Sequence, residues 1–308
     1  MSKRLIELPS TPRDIESDLR KYITLIYGRE GIGKSTFFAS FPGIIFFSTE
    51  PGTAGLEVLD FNWEEGGVTS WEIFQRGVEL LVKEGPGRIK NVVIDTIDRA
   101  YDLCNVYICK ELGIAHVGED KSGKSDRSGK GWSQLKKEFV FQLYRLTQAG
   151  FGLGLTSHMK MTEIESHSGD KYNVIIPSMS GQAFGVVRAI TAYIFYAEYI
   201  KDTSGDTQRI LITEGDELIT AKHRGEFPRF IKMEEDNGYQ VFKDAFDGKD
   251  IGLDPSDFNS SKKTSKVGQA SIKKTQMDNA RKPGKKVVAK KKVAKKVAAK
   301  KKSATRRK

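Results

Sequence analysis

The sequence predicts an α/β fold in which a mainly parallel central sheet is flanked by helices. Apolar runs rich in β-branched residues alternate with amphipathic segments from Tyr22 onward, and a glycine-rich loop joins the first run to the first helical segment. Polar residues follow several of these runs at the points where strands would end. With 308 residues, of which 38% are hydrophobic and 10% aromatic, the chain is large and apolar enough to bury a core.

The glycine-rich loop carries the pattern G-x-x-x-x-G-K-[ST] between a strand predicted at 22–27 and a helix that continues from residue 36. In this context backbone N–H groups hold a phosphate chain, the lysine reaches the outer phosphates and the hydroxyl binds Mg²⁺. The alternative is a chance match in a loop. We expect Lys34 to act in catalysis and Ser35 to bind the metal. The predicted cofactor-binding residues are Gly28, Arg29, Glu30, Gly31, Ile32, Gly33, Lys34, Ser35 and Thr36.

Two further predicted strands end near acidic residues. The run 44–49 is followed by Glu50, and after an amphipathic helix predicted at 71–83 the run 91–96 delivers Asp95. The carboxyl ends of parallel strands form the edge at which such sheets bind ligands. An apolar run that ends in Asp is common by itself. Downstream of a phosphate-binding loop, however, it indicates a carboxylate for Mg²⁺ or its water shell.

A polar segment interrupts this pattern after a helix predicted at 98–112. Residues 119–131 are nearly all Gly, Ser and charged residues, so we expect a long mobile loop over 113–131. Its cations and the tryptophan that follows them suit a nucleic-acid strand, through phosphate pairing and base stacking. The alternative is a solvated insertion with the tryptophan buried. The candidate residues are Lys121, Lys124, Arg127, Lys130 and Trp132.

The next strand, predicted at 151–156, follows an amphipathic helix at 134–147 and leads to His158. This histidine would lie at the same sheet edge as Glu50 and Asp95, where a catalytic role competes with that of a structural hydrogen-bonding residue. A second polar loop is predicted at about 161–172. Lys160 and Lys171, at its two ends, are further candidates for nucleic-acid contact.

Helix and then strand are predicted within 186–199, followed by a hairpin around 208–213 and a strand within 218–228. On a strand, the spacing of two between Lys222 and Arg224 places both cations on one face. The alternative is an ordinary solvated face.

The net charge of +11 comes from the C-terminal part of the chain. Residues 262–308 contain 20 Lys and Arg and one acid, whereas the remainder has 31 basic and 39 acidic residues. Like charges at this density repel, so we expect a disordered tail that tethers single-stranded DNA and also duplex DNA or RNA. If about 10 of its charges met single-stranded phosphates, log K would fall by about 7 per decade of salt. The predicted domains are an N-terminal arm at 1–20, the core at 21–250 and the tail at 251–308.

The sequence also predicts where in the cell the protein is located. No apolar run approaches the roughly 20 residues that span a bilayer, and the N-terminus lacks the apolar core of a signal peptide. Cys104 and Cys109 have no second pair and no nearby histidine to complete a metal site, so we expect reduced thiols. We expect no membrane partner and a cytoplasmic location, nucleoid-associated in the host cytoplasm if the chain is phage-encoded.

Taken in order, these motifs resemble those of the phage RecA-like P-loop ATPases, and more narrowly the phage nucleotide-binding proteins that include single-strand-annealing ATPases. The resemblance runs from about Lys21 to Met233, and only the phosphate loop is specific by itself. It implies a RecA-like P-loop NTPase core with ATP and Mg²⁺ as cofactors. By this resemblance Glu50 activates the attacking water, Asp95 serves the Mg²⁺ site, and His158 occupies the place of a γ-phosphate sensor that is more often an amide.

The resemblance also concerns assembly and DNA. Lys222 and Arg224 match cations that the wider group offers across a subunit interface, which implies catalytic roles for both in a homo-oligomer with ATP between subunits. The loops 113–131 and 160–173 match two DNA-binding loops. We therefore expect a Mg²⁺-dependent, DNA-stimulated ATPase that binds single-stranded DNA in phage DNA recombination, annealing or repair.

Two other functions remain open. A P-loop kinase or NTPase switch would act on a non-DNA partner, although the sequence has neither an Asn-Lys-x-Asp base-reading motif nor an evident arginine-rich lid. A DNA-compaction protein would act mainly through the basic tail, and its core would serve only to oligomerise.

Overall fold

The computed structural model describes residue 8 and residues 10–167, 169–234, 236–249 and 251. These residues contain nearly all of the predicted core. The predicted basic tail lies outside the described residues except for residue 251, and so does the first part of the predicted arm. None of the helices within the described part is long and apolar enough to cross a membrane.

The described residues form nine strands and six α-helices. The strands are β1 (Thr24–Gly28), β2 (Ile44–Ser48), β3 (Leu59–Asp60), β4 (Asn91–Asp95), β5 (Gly152–Glu165), β6 (Lys171–Pro177), β7 (Tyr193–Lys201), β8 (Thr207–Ile212) and β9 (Phe230–Lys232). The helices are α1 (Lys34–Ala39), α2 (Trp71–Glu84), α3 (Ile97–Leu112), α4 (Lys130–Gln148), α5 (Gly181–Ile190) and α6 (Gly238–Phe246).

The strands form one sheet in the order β3-β2-β4-β5-β1-β7-β8-β9, with β6 paired to β5 off this path. The pairs from β3 through β7 are parallel, whereas β7–β8, β8–β9 and β5–β6 are antiparallel. This confirms the predicted α/β fold with a mainly parallel sheet. Strand β5 lies between β1, which leads into the phosphate loop, and β4, which ends in Asp95.

Two hydrophobic cores cover the two faces of the sheet, because successive side chains on each strand point to opposite sides. Leu25 and Tyr27 belong to the core that includes residues of α2, α3, α4 and α5. Ile26, between them, belongs to the core that includes residues of α1 and α6. The strands are therefore apolar on both faces, as a sheet buried between helices requires.

Helix α1 is fixed closely against the sheet by aromatic packing. Phe38, 1% exposed, lies over Gly154 of β5, where an added Cβ would come within 2.7 Å of the Phe38 ring. The absence of a side chain at Gly154 lets the helix approach the strand. On its outer side α1 contacts α6, where the Tyr239 N–H donates to Ser40 Oγ at 2.8 Å.

Three local predictions are wrong. The polar loop expected at about 161–172 is a β-hairpin, in which β5 continues to Glu165 and pairs with β6. Much of this hairpin is exposed, so its strands are polar and resemble loop in composition. The segment 218–228 makes only isolated bridges, at Ile219 and Lys222, in place of a strand. Helix α4 begins at Lys130, four residues before the helix predicted at 134–147, so Trp132 belongs to this helix.

Replacing Phe38 with Ala should destabilise the fold by about 3–5 kcal/mol, because the change leaves a cavity between α1 and β5. Urea unfolding followed by circular dichroism measures the loss. The matched control is Phe141→Ala on α4, where the ring is 56% exposed; its effect should stay within about 0.5 kcal/mol. Equal losses for the two variants would contradict the packing described here.

Candidate functional site

The phosphate loop has the backbone conformation that its glycines allow. Gly31 and Gly33 have φ values of +71° and +99°, in a region where residues with a Cβ are strained. Gly33 is the N-cap of α1, and the next residue, Lys34, is 6% exposed. Lys34 Nζ donates to the carbonyls of Gly28 and Arg29 at 3.2 and 2.9 Å. Burial lowers the pKa of Lys34, and nearby carboxylates oppose that effect.

A hydroxyl and a carboxylate meet beside this loop. Ser35 Oγ donates to Asp95 Oδ2 at 2.6 Å, and the other carboxylate oxygen accepts from Thr156 Oγ1. Gly52 lies next to both oxygens. A Cβ on this residue would lie 3.5 Å from Asp95 Oδ2 and 4.0 Å from Ser35 Oγ. The absence of a side chain at Gly52 leaves space in front of the two oxygens.

These oxygens fit Mg²⁺ in chemistry. Mg²⁺ prefers oxygen ligands and is usually bound by one or two protein groups together with phosphate oxygens and water. Within the described part of the chain, no group of three or more His, Cys, Asp or Glu side chains could hold a metal ion by itself. Ser35 and Asp95 therefore suit an ion that arrives with a phosphate chain.

Glu50 and His158 form a pair at the same edge. His158 Nε2 lies 3.1 Å from Glu50 Oε2, and Thr96 Oγ1 donates to Glu50 Oε1 at 3.3 Å. His158 Nδ1 is buried, lies 3.9 Å from Glu30 Oε1 of the phosphate loop and has no hydrogen-bond partner among the described residues. The predicted convergence of Glu50, Asp95 and His158 at one sheet edge is confirmed.

The cleft over the phosphate loop gathers nine of the 14 residues predicted for catalysis, nucleotide binding and the metal. It has a volume of about 520 Å³ and is lined by Glu30, Gly31, Gly33, Lys34, Ser35, Thr36, Glu50, Pro51, Gly52, Gly55, Leu56, Asp95, Thr96 and His158. The predicted residues that do not line it are Gly28, Arg29, Ile32, Lys222 and Arg224. Lys222 Nζ donates instead to the Arg188 carbonyl at 2.7 Å, and its backbone bridges Ile194.

Asp98 does not line the cleft but holds a residue that does, and it was not among the predicted site residues. It accepts hydrogen bonds from Ser157 Oγ at 2.9 Å, the His158 N–H at 3.1 Å and Ser178 Oγ at 3.0 Å. Asp98 therefore fixes the backbone of His158 to α3 and to the segment after β6. Burial raises the pKa of this carboxyl, and its three donors oppose the shift. The sequence signal was weak, because a single Asp in the first turn of a helix is common.

The candidate nucleic-acid residues fall into two groups. Lys121, Lys124 and Arg127 are exposed on the segment that joins α3 to α4, and Lys130 is exposed at the first residue of α4. The loop predicted at 113–131 contains no helix or strand before Lys130, and it holds ordered turns, since Asp120 and Asp126 each accept several hydrogen bonds from the residues that follow.

The remaining candidates make contacts within the chain. Lys160 Nζ donates to the Met179 carbonyl at 2.6 Å, and Lys171 Nζ pairs with Glu163 at 3.0 Å. Trp132 is partly buried and packs edge-on against His116, with ring centroids 5.7 Å apart. Burial of the tryptophan is what the solvated-insertion alternative predicted for it.

A family profile described as an AAA domain matches residues 20–225, two thirds of the chain. The chain belongs to this family. Membership in the AAA domain family makes it a P-loop NTPase in fold and assigns it nucleotide-binding ATPase character in general. A search among curated proteins finds no match.

Replacing Asp98 with Asn should destabilise the protein by about 1–3 kcal/mol, because an amide nitrogen cannot accept and leaves a donor at Ser157, Ser178 or the His158 backbone unsatisfied. Urea unfolding measures the loss. Asp102→Asn, one turn later on α3 and exposed, is the matched control. Unfolding midpoints that agree between the two variants would show that Asp98 does not hold these elements together.

Proposed function

We propose that the chain is a Mg²⁺-dependent ATPase that binds single-stranded DNA, of the phage RecA-like kind that acts in recombination, annealing or repair. The observation that carries the ATPase part is the 2.6 Å contact between Ser35 Oγ and Asp95 Oδ2. It places the hydroxyl of the phosphate loop and a strand-end carboxylate together, as a Mg²⁺-nucleotide site requires. Bound Mg²⁺ would neutralise charge on the phosphates.

Glu50 is the proposed base for the attacking water. A general base must come within hydrogen-bond reach of that water, and Glu50 lies on the cleft wall with its side chain 40% exposed. Contacts from His158 and Thr96 hold its two carboxylate oxygens in place. His158 Nδ1 has no hydrogen-bond partner among the described residues, which supports the proposal that this ring senses the outermost phosphate.

Lys222 and Arg224 are proposed to act across a subunit interface. Neither lines the cleft of its own chain, and they lie with Arg188 in a group of cations in which Arg224 is exposed. A cation from a neighbouring subunit would stabilise the charge that develops on the transferred phosphate. The proposed active species is therefore a homo-oligomer with ATP between subunits.

The exposed positive charges of residues 121–130 support the proposal that the chain binds single-stranded DNA. The four exposed cations of residues 121–130 lie in a part of the chain that is otherwise acidic in balance, with 31 basic and 39 acidic residues outside 262–308. Cations presented on a loop pair with a phosphate backbone without reading its sequence. Lys160 and Lys171 of the β5–β6 hairpin are proposed as further contacts to the DNA, although both already have partners within the chain.

Replacing Glu50 with Gln should lower ATP turnover by about 10²–10⁴-fold, because the amide cannot accept a proton from water. ATP binding should persist, since the phosphate loop is unchanged. Phosphate release and binding of a fluorescent ATP analogue measure the two effects. Lys34→Ala should abolish turnover.

The matched control is Glu57→Gln, an exposed acid that does not line the cleft. It should behave as the wild type. Wild-type turnover by Glu50→Gln would exclude Glu50 as the base, and unchanged hydrolysis by Lys34→Ala would exclude the phosphate loop as the ATP site.

Deletion of residues 257–308 should leave single-strand binding that responds to ATP, if the folded core makes the contacts proposed here. The truncated chain should bind the oligonucleotide with lower affinity and with weaker salt dependence, because the tail carries the excess of basic residues. Fluorescence anisotropy of a labelled oligonucleotide, with and without ATP, measures both quantities. Complete loss of binding would favour the DNA-compaction alternative. ATP hydrolysis that persists without any DNA binding, even by the full chain, would favour a kinase or switch.

A further inference from the structure

The segment between α3 and α4 contains the same turn twice. The sequence Asp-Lys-Ser-Gly-Lys at 120–124 is followed by Asp-Arg-Ser-Gly-Lys at 126–130. In the first turn Asp120 Oδ1 accepts from Ser122 N at 2.8 Å, from Ser122 Oγ at 2.6 Å and from Lys124 N at 3.0 Å. In the second, Asp126 accepts from Ser128 N at 2.8 Å, from Ser128 Oγ at 2.6 Å and from Lys130 N at 3.0 Å. We call residues 120–130 the twin turns.

In the twin turns the aspartates are hydrogen-bonded within their own turns and the cations are exposed. In the part of the chain that the structure describes, none of these four side chains has an ion-pair partner. An ordered backbone therefore presents unpaired positive charge from Lys121, Lys124, Arg127 and Lys130.

The outer face of α4 continues from the twin turns. Lys137, Phe141 and Tyr144 recur at helical spacing, and the two rings are 56% and 42% exposed. The Arg145 guanidinium lies over the Phe141 ring, 5.8 Å from its centroid. The acid on this part of α4, Glu138, turns inward, where one oxygen accepts from Trp71, Gln75 and Gln142. The outer face therefore combines exposed aromatic rings with cations that the acid does not neutralise.

We propose that the twin turns and the outer face of α4 form one continuous track for single-stranded nucleic acid. The cations of the twin turns pair with successive phosphates, and Phe141 and Tyr144 stack bases. This inference rests on the proposed single-strand binding and deepens it by locating where bases are held. Along α4 the track from Lys130 to Tyr144 extends for about 21 Å, at 1.5 Å per residue.

Charge selects nucleic acid over a second copy of the chain as the occupant. Residues 120–145 carry seven basic and three acidic side chains, while the chain outside 262–308 carries 31 basic and 39 acidic residues. Two copies facing each other through this surface would bring like charges together, which is destabilising. A polyanion with flat, stackable bases complements both the cations and the rings.

The test compares oligothymidylate with an abasic strand of equal length, which has the phosphates without the bases. The full chain is used, because tail charges act on both strands alike. Phe141→Ala and Tyr144→Ala should each lower affinity for oligothymidylate by about fivefold or more. Affinity for the abasic strand should not change. The control is Trp63→Ala, an exposed aromatic on another element with 45% exposure, and it should bind both strands as the wild type does.

A second variant tests the phosphate contacts. Changing Lys121, Lys124, Arg127 and Lys130 together to Gln should weaken binding of both strands equally. It should also reduce the slope of log K against log salt by about 3, because each single-strand phosphate contact contributes about 0.7. Circular dichroism confirms that the variants are folded.

The outcomes separate this inference from the function on which it rests. If the wild type binds single strands while the aromatic variants keep its preference for bases, or the cation variant keeps its salt slope, the track is wrong and single-strand binding stands. If the aromatic variants change only the sedimentation of the protein, the face joins copies of the chain and the track is overturned. If the wild type binds neither strand, the proposed single-strand binding fails as well.

Discussion

The site depends on one contact across the sheet, the hydrogen bond from Ser35 to Asp95. The two residues follow or end strands β1 and β4, which do not touch because β5 lies between them. Leu155 of β5 is in register with Leu25 on one side and with Ile94 on the other. Strands β1 and β4 therefore end about two residues apart along β5, which itself continues to Glu165. A shift of one residue in either register would turn the polar side chains to the opposite face and separate hydroxyl from carboxylate.

The buried lysine of the phosphate loop shows why this arrangement suits a polyanion. Burial disfavours the charged form of Lys34 and lowers its pKa. Its hydrogen bonds to two loop carbonyls and the charges of nearby carboxylates compensate only in part. A phosphate chain in the cleft would supply further counter-charge. Ligand binding and the electrostatic stability of the loop are therefore coupled through one side chain.

The sequence was sufficient to predict the features that local chemistry dictates. The glycine-rich loop, the apolar strands and the polar residues at their ends follow from backbone geometry and from the common edge of parallel strands. The role of Asp98 could not be predicted, because its three donors lie about sixty residues or more away in the chain. The β5–β6 hairpin was missed since its exposed strands are polar. The twin turns were not predicted, because their order depends on hydrogen bonds to aspartate that composition does not reveal.

Strand β5 joins two regions with different tolerance to changes in chain length. Its first half carries Thr156 and His158 and is held in register on both sides by β1 and β4, whereas its second half pairs only with β6. The connection between β5 and β6 lies beyond this pairing, so added residues there change no register within the sheet. Loop tips of this kind accept insertions readily. The hairpin tip is therefore a place where a fluorescent reporter or an affinity tag can be inserted without displacing the residues of the cleft.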